Sequence, residues 1–283
     1  MTPGVVRSRA DLRAALAGWR SEGLSIGLVP TMGALHAGHL ALMATAKEAN
    51  DRVVVTIFVN PMQFNNAADL GAYPRTEEDD LARLATVGVD LAYLPAAGEV
   101  YPPGFATSVR VGGSSAGLCG SFRPGHFEGV ATVVTKLFLQ TGADRAYFGE
   151  KDYQQLLVIR QLARDLDIPL DVIGLPTVRE PDGLAMSSRN ARLSRPERAV
   201  AAALPQALWA AAATIRSGGD SAGALAEGRR RVLEAGFREV EYFELRAAGD
   251  LRPLAQLTEP GRLLAAAWLG ETRLIDNVPV DPR

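Results

Sequence analysis

The order of apolar runs along this chain predicts an α/β fold, a doubly wound parallel sheet followed by a smaller α+β domain. Three observations carry that expectation. In the first 176 residues, short and nearly continuous β-branched runs alternate with helical stretches, the pattern of strands buried on both faces. Past Pro176 helices come first and strands then cluster, which suits a separate unit better than further βαβ winding. The length of 283 residues exceeds one small module and fits two domains, at roughly 100–200 residues each. The expected division is therefore 1–176 and 177–283.

Each element follows from its local pattern. Residues 25–30 (SIGLVP) and 52–60 (RVVVTIFVN) read as buried strands, and 89–94, 145–148 and 170–175 as shorter ones. Helical patterns fall between them at 38–50, 76–87, 128–140 and 151–166. Thr76 followed by Asp79 resembles a capping box, with acidic residues in the first turn favoured by the helix dipole. Beyond the boundary, 195–216 is an Ala-rich helix broken by Ser217-Gly218-Gly219-Asp220, and 222–235 is another. Strands are expected at 240–245, 263–269 and 273–275, with no internal repeat anywhere.

Composition narrows the class. With 47% hydrophobic and 22% charged residues, the chain carries enough apolar surface to offset the entropy of ordering it. A formal net charge of −2 and scattered basic residues argue against binding nucleic acid or an anionic membrane through charge alone. The single cysteine, Cys119, excludes an intramolecular disulfide and a cysteine-based zinc site. No segment reaches the roughly 18 apolar residues of a membrane span. Arg7, Arg9, Asp11 and Arg13 stand where a signal peptide needs its apolar core, so a cytoplasmic location is expected. There are three histidines, and their placement is more telling than any bulk figure.

Two of them, His36 and His39, lie in PTMGALHAGHL (30–40), which follows a strand and opens a helix. Open α/β sheets bind ligands at such turns, where glycine lets the backbone approach a phosphate and helix N–H groups face it. Two imidazoles three apart share one helix face and can reach the same phosphate chain. His126 lies in SFRPGHFEG (121–129), three residues after Arg123, a pairing suited to an anion. In FVNPMQF (58–64), Asn60 and Gln63 at a strand end can bond polar substrate groups while Met62 and Phe64 line an apolar wall. FGEKDYQQ (148–155) brings Lys151 as a point charge for phosphate. It also brings Asp152, for sugar hydroxyls or a metal-bound water. Finally, MSSRN (186–190) combines two hydroxyls with an arginine in a polar loop fit to close over a triphosphate.

PTMGALHAGHL, FVNPMQF, YPRTEEDD, RPGHFEGV, FGEKDYQQL and MSSRN, in this order and spacing, resemble the pantoate–β-alanine ligase (pantothenate synthetase) family. LIDN at 274–277 also looks familial. The first and last of the six are similar to the paired nucleotide motifs of the nucleotidyltransferase superfamily, which implies a Rossmann-like first domain. The resemblance implies a two-step ligation of pantoate and β-alanine through pantoyl adenylate, with ATP as substrate, Mg2+ as cofactor and a homodimer as the assembly. By matching position, Met32, Gly33, Ala34, Leu35, His36, Ala37, Gly38 and His39 line the ATP site, with His39 catalytic and His36 beside it on the phosphates. Gly149, Glu150, Lys151, Asp152, Val178, Met186, Ser187, Ser188 and Arg189 complete it. Gln63 and Gln155 hold pantoate, Gln63 also meeting β-alanine, and Asn60, Tyr73, Arg123 and His126 match other positions around the cavity. Asp79 is expected near magnesium.

These residue types suit the implied chemistry. A carboxylate is ionised at pH 7, so adenylation needs in-line positioning and charge neutralisation instead of a base or an enzyme nucleophile. His36, His39, Lys151, Ser187, Ser188 and Arg189 are fitted to that work, and the 186–189 loop would also shield the labile adenylate from water. No base for the amine step stands out. Around Cys119 the sequence reads LCGSF (118–122), where the resemblance implies an acidic residue at 119 and a small one at 122, and adenylation has no use for a thiol. Besides an RNA-binding synthetase fragment, disfavoured by the lack of a basic stripe, two competitors remain: a related enzyme passing AMP to a phosphate acceptor, and a catalytically silent nucleotide-binding protein. The second is disfavoured by the presence of His39, Lys151 and Gln63.

Overall fold

The computed structural model describes residues 2–65 and 67–282. The first part of the chain runs β1 (Gly4–Val6), α1 (Arg9–Ser21), β2 (Ile26–Thr31), α2 (Ala37–Ala49), β3 (Arg52–Ile57), α3 (Ala67–Gly71) and α4 (Glu77–Val87). It continues through β4 (Leu91–Tyr93), α5 (Ala97–Val100), α6 (Leu118–Phe122), α7 (His126–Thr141), β5 (Arg145–Gly149), α8 (Tyr153–Asp165) and β6 (Asp171–Leu175). These strands form one parallel sheet in the order β1-β4-β3-β2-β5-β6. Then come α9 (Arg195–Val200), α10 (Ala203–Arg216) and α11 (Ser221–Glu234). An antiparallel meander of β7 (Glu239–Ala247), β8 (Gly261–Leu269) and β9 (Thr272–Val280) follows.

The alternation of side chains explains why both faces of the parallel sheet are covered. Ile26, Leu28 and Val54 point into a core shared with α1, α7 and α8, whereas Val29, Val53 and Val55 point into one beneath α2 and α4. A third core joins α10 and α11 to the meander, and Tyr242, Leu264 and Ala266 carry apolar contact from that meander back to the first core. The strand order reverses between β2 and β5, so the crevice beyond their carboxyl ends is where a ligand fits this architecture.

The doubly wound sheet and the smaller α+β unit agree with the expectation, and the differences are local. The second strand stops at Ile57 because Asn60 caps a short 3-10 turn, Pro61–Gln63, that starts on a proline. The helix expected over 195–216 is two helices; alanine marks helix but carries no signal for the bend at Ala201 and Ala202, which are buried there. Thr76 forms no capping box with Asp79, its hydroxyl instead donating to Asp80 Oδ2 at 3.3 Å. Helix α1, unassigned from sequence, starts where the Ser8 side chain accepts from the Asp11 amide, and it buries Leu12 and Leu16.

Candidate active site

The loop from β2 to α2 passes through two left-handed residues, Gly33 at φ +79° and Ala34 at φ +49°. A Cβ on Gly33 would lie 2.9 Å from Asp80 Oδ2, so glycine answers both the angle and the close approach. Asp80, buried at the start of α4, accepts from the Ala34 and Leu35 amides at 2.9 and 2.7 Å and so holds this turn. His36 then caps α2, and its backbone N–H donates to His39 Nδ1 at 3.3 Å. With Nδ1 accepting, the network assigns the neutral His39 ring its proton on Nε2. The two rings lie 4.0 Å apart between centroids.

Charge at the site does not come from these rings. Burial, then the charge of nearby Lys151, lowers His36 to about 4; burial and the neighbouring His36 lower His39 to about 3. Both are neutral near pH 7 and offer hydrogen bonds. Positive charge is supplied by Arg123, Lys151 and Arg189, all of which line the same cleft.

Gln63 is held from several sides. Its side-chain oxygen accepts from Asn60 Nδ2 at 3.0 Å, and its Nε2 lies 3.1 Å from the Met32 sulfur, a weak acceptor. Its backbone carbonyl accepts from Arg123 Nη2 at 3.1 Å and from His126 Nδ1 at 2.9 Å. With Nδ1 donating, His126 Nε2 accepts from Arg123 at 3.3 Å, and burial plus Arg123 lowers the ring to about 3. The 3-10 turn packs on Gly129 of α7, where a Cβ would meet the Met62 carbonyl oxygen at 2.3 Å. Only glycine allows that approach.

Gly149, the last residue of β5, and Lys151 just beyond it line the cleft, and Lys151 Nζ lies 3.7 Å from Asp152. Burial raises the Asp152 carboxyl, but Lys151 and Arg189 outweigh it and hold the group below its usual range. The side chain retains 46% exposure, so the cleft stays open to water here. The meander fixes this turn from behind. Asn277 donates to the Glu150 and Lys151 carbonyls, both at 2.9 Å, and Arg262 pairs with the Glu150 carboxylate at 2.9 Å. Of the glutamine pair in α8, Gln154 bonds backbone groups at 114–119, whereas Gln155 lines the cleft.

The 186–189 segment closes the opposite side. Met186 N donates to the Val178 carbonyl at 3.0 Å, and Ser188 Oγ lies 3.2 Å from the Tyr73 hydroxyl. Arg189 and Arg192 both pair with Asp69, at 3.1 and 2.7 Å. Burial raises Asp69, and the two arginines outweigh it, so its carboxyl sits below the usual range. The cleft encloses about 230 Å³ and adjoins a second cavity of about 510 Å³ that shares Arg123, Lys151, Asp152, Ser187 and Arg189 with it.

Of the residues expected at the site, Met32, His36, Gly38, His39, Asn60, Gln63, Tyr73, Arg123, His126, Gly149, Lys151, Asp152, Gln155, Val178, Met186, Ser187, Ser188 and Arg189 line one cleft. Gly33, Ala34, Leu35 and Ala37 shape the loop without lining it, and Glu150 faces Arg262. Asp79 is exposed and off the lining, because the helical turn gives the buried position to Asp80. Cys119 is buried against Tyr242, 3.1 Å from its hydroxyl, and lies outside the cleft. Sequence reading gave no role to Asp80, Asp69, Asn277 or Arg262, although Asp80 and Asn277 fall within the quoted segments 73–80 and 274–277. Asp80 had a signal, since it shares a helix face with Leu84 four residues on.

Comparison with known proteins shows the family and the fold. A family model described as pantoate-beta-alanine ligase matches residues 4–279. A relative named pantothenate synthetase, from Chelativorans sp., is 59% identical over 280 residues, covering 99% of each chain. The crystal structure of pantothenate synthetase from Thermus thermophilus superposes with a TM-score of 0.93 at 47% identity, covering 99% of this chain and 100% of that one. A pantoate-beta-alanine ligase from Francisella tularensis, complexed with beta-gamma ATP and beta-alanine, gives 0.82 at 34% identity over 98% of this chain and 97% of that one.

Proposed function

The chain belongs to the pantoate–β-alanine ligase family, and from that premise we propose how its residues carry out the ATP-dependent joining of pantoate to β-alanine. One observation supports the reading most: two neutral imidazoles, three cationic side chains and the Gln63 amide converge on one cleft at the switch point of the sheet.

In the first step an oxygen of pantoate's carboxylate attacks the α-phosphorus of ATP. The bond to the bridging oxygen breaks, and pyrophosphate leaves with the electron pair. The nucleophile is already ionised, so the protein's work is alignment and charge compensation. His39, with its proton on Nε2, donates to the phosphates beside His36. Lys151, Ser187, Ser188 and Arg189 hold the departing pyrophosphate. Val178, Met186 and Gly149 border the nucleoside, while Gln63 and Gln155 hold pantoate, with Asn60, Tyr73, Arg123 and His126 around them. In the second step the uncharged amine of β-alanine attacks the acyl carbon, the acyl–oxygen bond to AMP breaks, and the amine's extra proton leaves to solvent.

Magnesium, when bound, neutralises triphosphate oxygens. The ion would be carried by the nucleotide, and Asp152 is a carboxylate in the lining of the cleft that could meet its waters. We take 1–176 as the part that binds nucleotide and pantoate and 177–283 as the part that brings the 186–189 loop over it. A homodimer is carried over from the family resemblance, and the cytoplasmic location stays the expectation read from the sequence; no helix among the described residues is long and apolar enough to cross a membrane. The test is exchange of labelled pyrophosphate into ATP. Exchange that requires pantoate supports the reading. Absence of exchange with pantoate present, or exchange indifferent to it, overturns the reading.

A further inference from the structure

Tyr101 ends the short helix α5 and packs against Phe58 and Phe105, with ring centroids 6.1 and 5.1 Å away, outside the lining of the cleft. Its hydroxyl nevertheless donates to Asn60 Oδ1 at 2.7 Å. That oxygen also accepts from the Met62 amide at 3.3 Å, and Asn60 Nδ2 donates to the Gly129 carbonyl and to Gln63 Oε1, both at 3.0 Å. Every donor and acceptor site of the Asn60 amide is thus used. A flipped Asn60 would set its N–H groups against the Met62 N–H and its oxygen against two oxygens. With Asn60 held this way, Gln63 must turn Oε1 toward it, which leaves its Nε2–H groups for Met32 and the cleft.

We propose that Tyr101 is a positioning residue for the acid substrate: through Asn60 it fixes the Gln63 amide so that N–H donors, not an oxygen, meet the oxygens of pantoate. This rests on the reading of Gln63 as a pantoate residue. Of the two bonds to Asn60 Oδ1 the tyrosine's is the shorter, and it is the one a side-chain substitution removes. Without it, part of the population carries Gln63 turned the wrong way, with Oε1 repelling the carboxylate. A ligand that needs the minor or reduced state pays in apparent affinity by the competent fraction and recovers at saturation.

The experiment compares steady-state constants of Tyr101→Phe, Gln63→Ala and the double variant with the wild type. For Tyr101→Phe the expected result is a pantoate KM raised about tenfold, the scale of one buried hydrogen bond. Its kcat at saturating pantoate and its KM for ATP should stay within about twofold, the latter also showing that the fold is kept. In the Gln63→Ala background the same substitution should add nothing. The proposal is overturned by an unchanged pantoate KM, by equal rises in both KM values, or by a tenfold rise that persists without the Gln63 amide. A Gln63→Ala enzyme with normal pantoate KM would instead overturn the reading of Gln63, and the relay with it.

Discussion

Replacing Asp80 with alanine should loosen the turn that carries both His36 and His39. The carboxylate accepts from two amides, Ala34 and Leu35, and Ala34 is kept in a left-handed conformation at φ +49° beside them. Each buried N–H left without an acceptor costs about 1–3 kcal/mol, so two of them amount to roughly 4 kcal/mol before water relieves any of it. At roughly 2–4 °C per kcal/mol for a chain of this size, melting should fall by about 8–16 °C. Ala34 then relaxes and swings the histidines, and a shift near 1 Å lowers the rate by about 10²-fold. The exposed neighbour is the control: Asp79→Ala should stay within about 0.5 kcal/mol. Melting followed by circular dichroism, with pyrophosphate exchange on the same samples, reads both effects. Wild-type melting and exchange in Asp80→Ala, or a larger loss in Asp79→Ala, would refute the reasoning.

His39→Ala should lower pantoate-dependent exchange by about 10²–10³-fold while the circular dichroism spectrum is unchanged; wild-type exchange would remove His39 from the reaction. Asn277→Ala frees the Glu150 and Lys151 carbonyls, and kcat/KM for ATP should drop about tenfold in initial-rate measurements, whereas an unaffected value would leave the meander without a part in placing Lys151. Acid should destabilise the fold through its histidines. With native values of about 4 for His36 and about 3 for His39 and His126, against about 6.5 unfolded, the unfolded chain binds more protons between those limits. Unfolding free energy therefore rises with pH up to about 6.5 and is flat above it on their account, each histidine giving a slope of up to about 1.4 kcal/mol per pH unit. Urea titrations from pH 4.5 to 7.5 check this, and His126→Asn should flatten the slope; stability that improves on acidification would contradict it.

How far the sequence reaches depends on what its local patterns encode. The strands Ile26–Thr31 and Arg52–Ile57 were legible because β-branched runs bounded by turns have few other uses, and the residues that point from their ends into the cleft were legible with them. The strand Gly4–Val6, three residues at the sheet edge, has too little pattern to be read. The distinction between Asp79 and Asp80 depends on which carboxylate the helix turns inward; the run of four acidic residues does not announce it, and only Leu84, one turn on from Asp80, marks the inward face. Asn277 and Arg262 reach the Lys151 turn from more than a hundred residues away, a contact that only the docking of the meander creates. Charge was the least legible quantity. The histidines look cationic beside a proposed phosphate site, yet burial leaves all three neutral in the free protein.

The central claim is that pantoate's carboxylate attacks the α-phosphorus within this cleft, and an isotope label tests it directly. Pantoate carrying 18O in its carboxylate, turned over with ATP and β-alanine, should deliver one labelled oxygen to the phosphate of AMP, seen as an isotope shift in the phosphorus NMR spectrum. Unlabelled AMP, or label appearing in inorganic phosphate beside ADP, would contradict it.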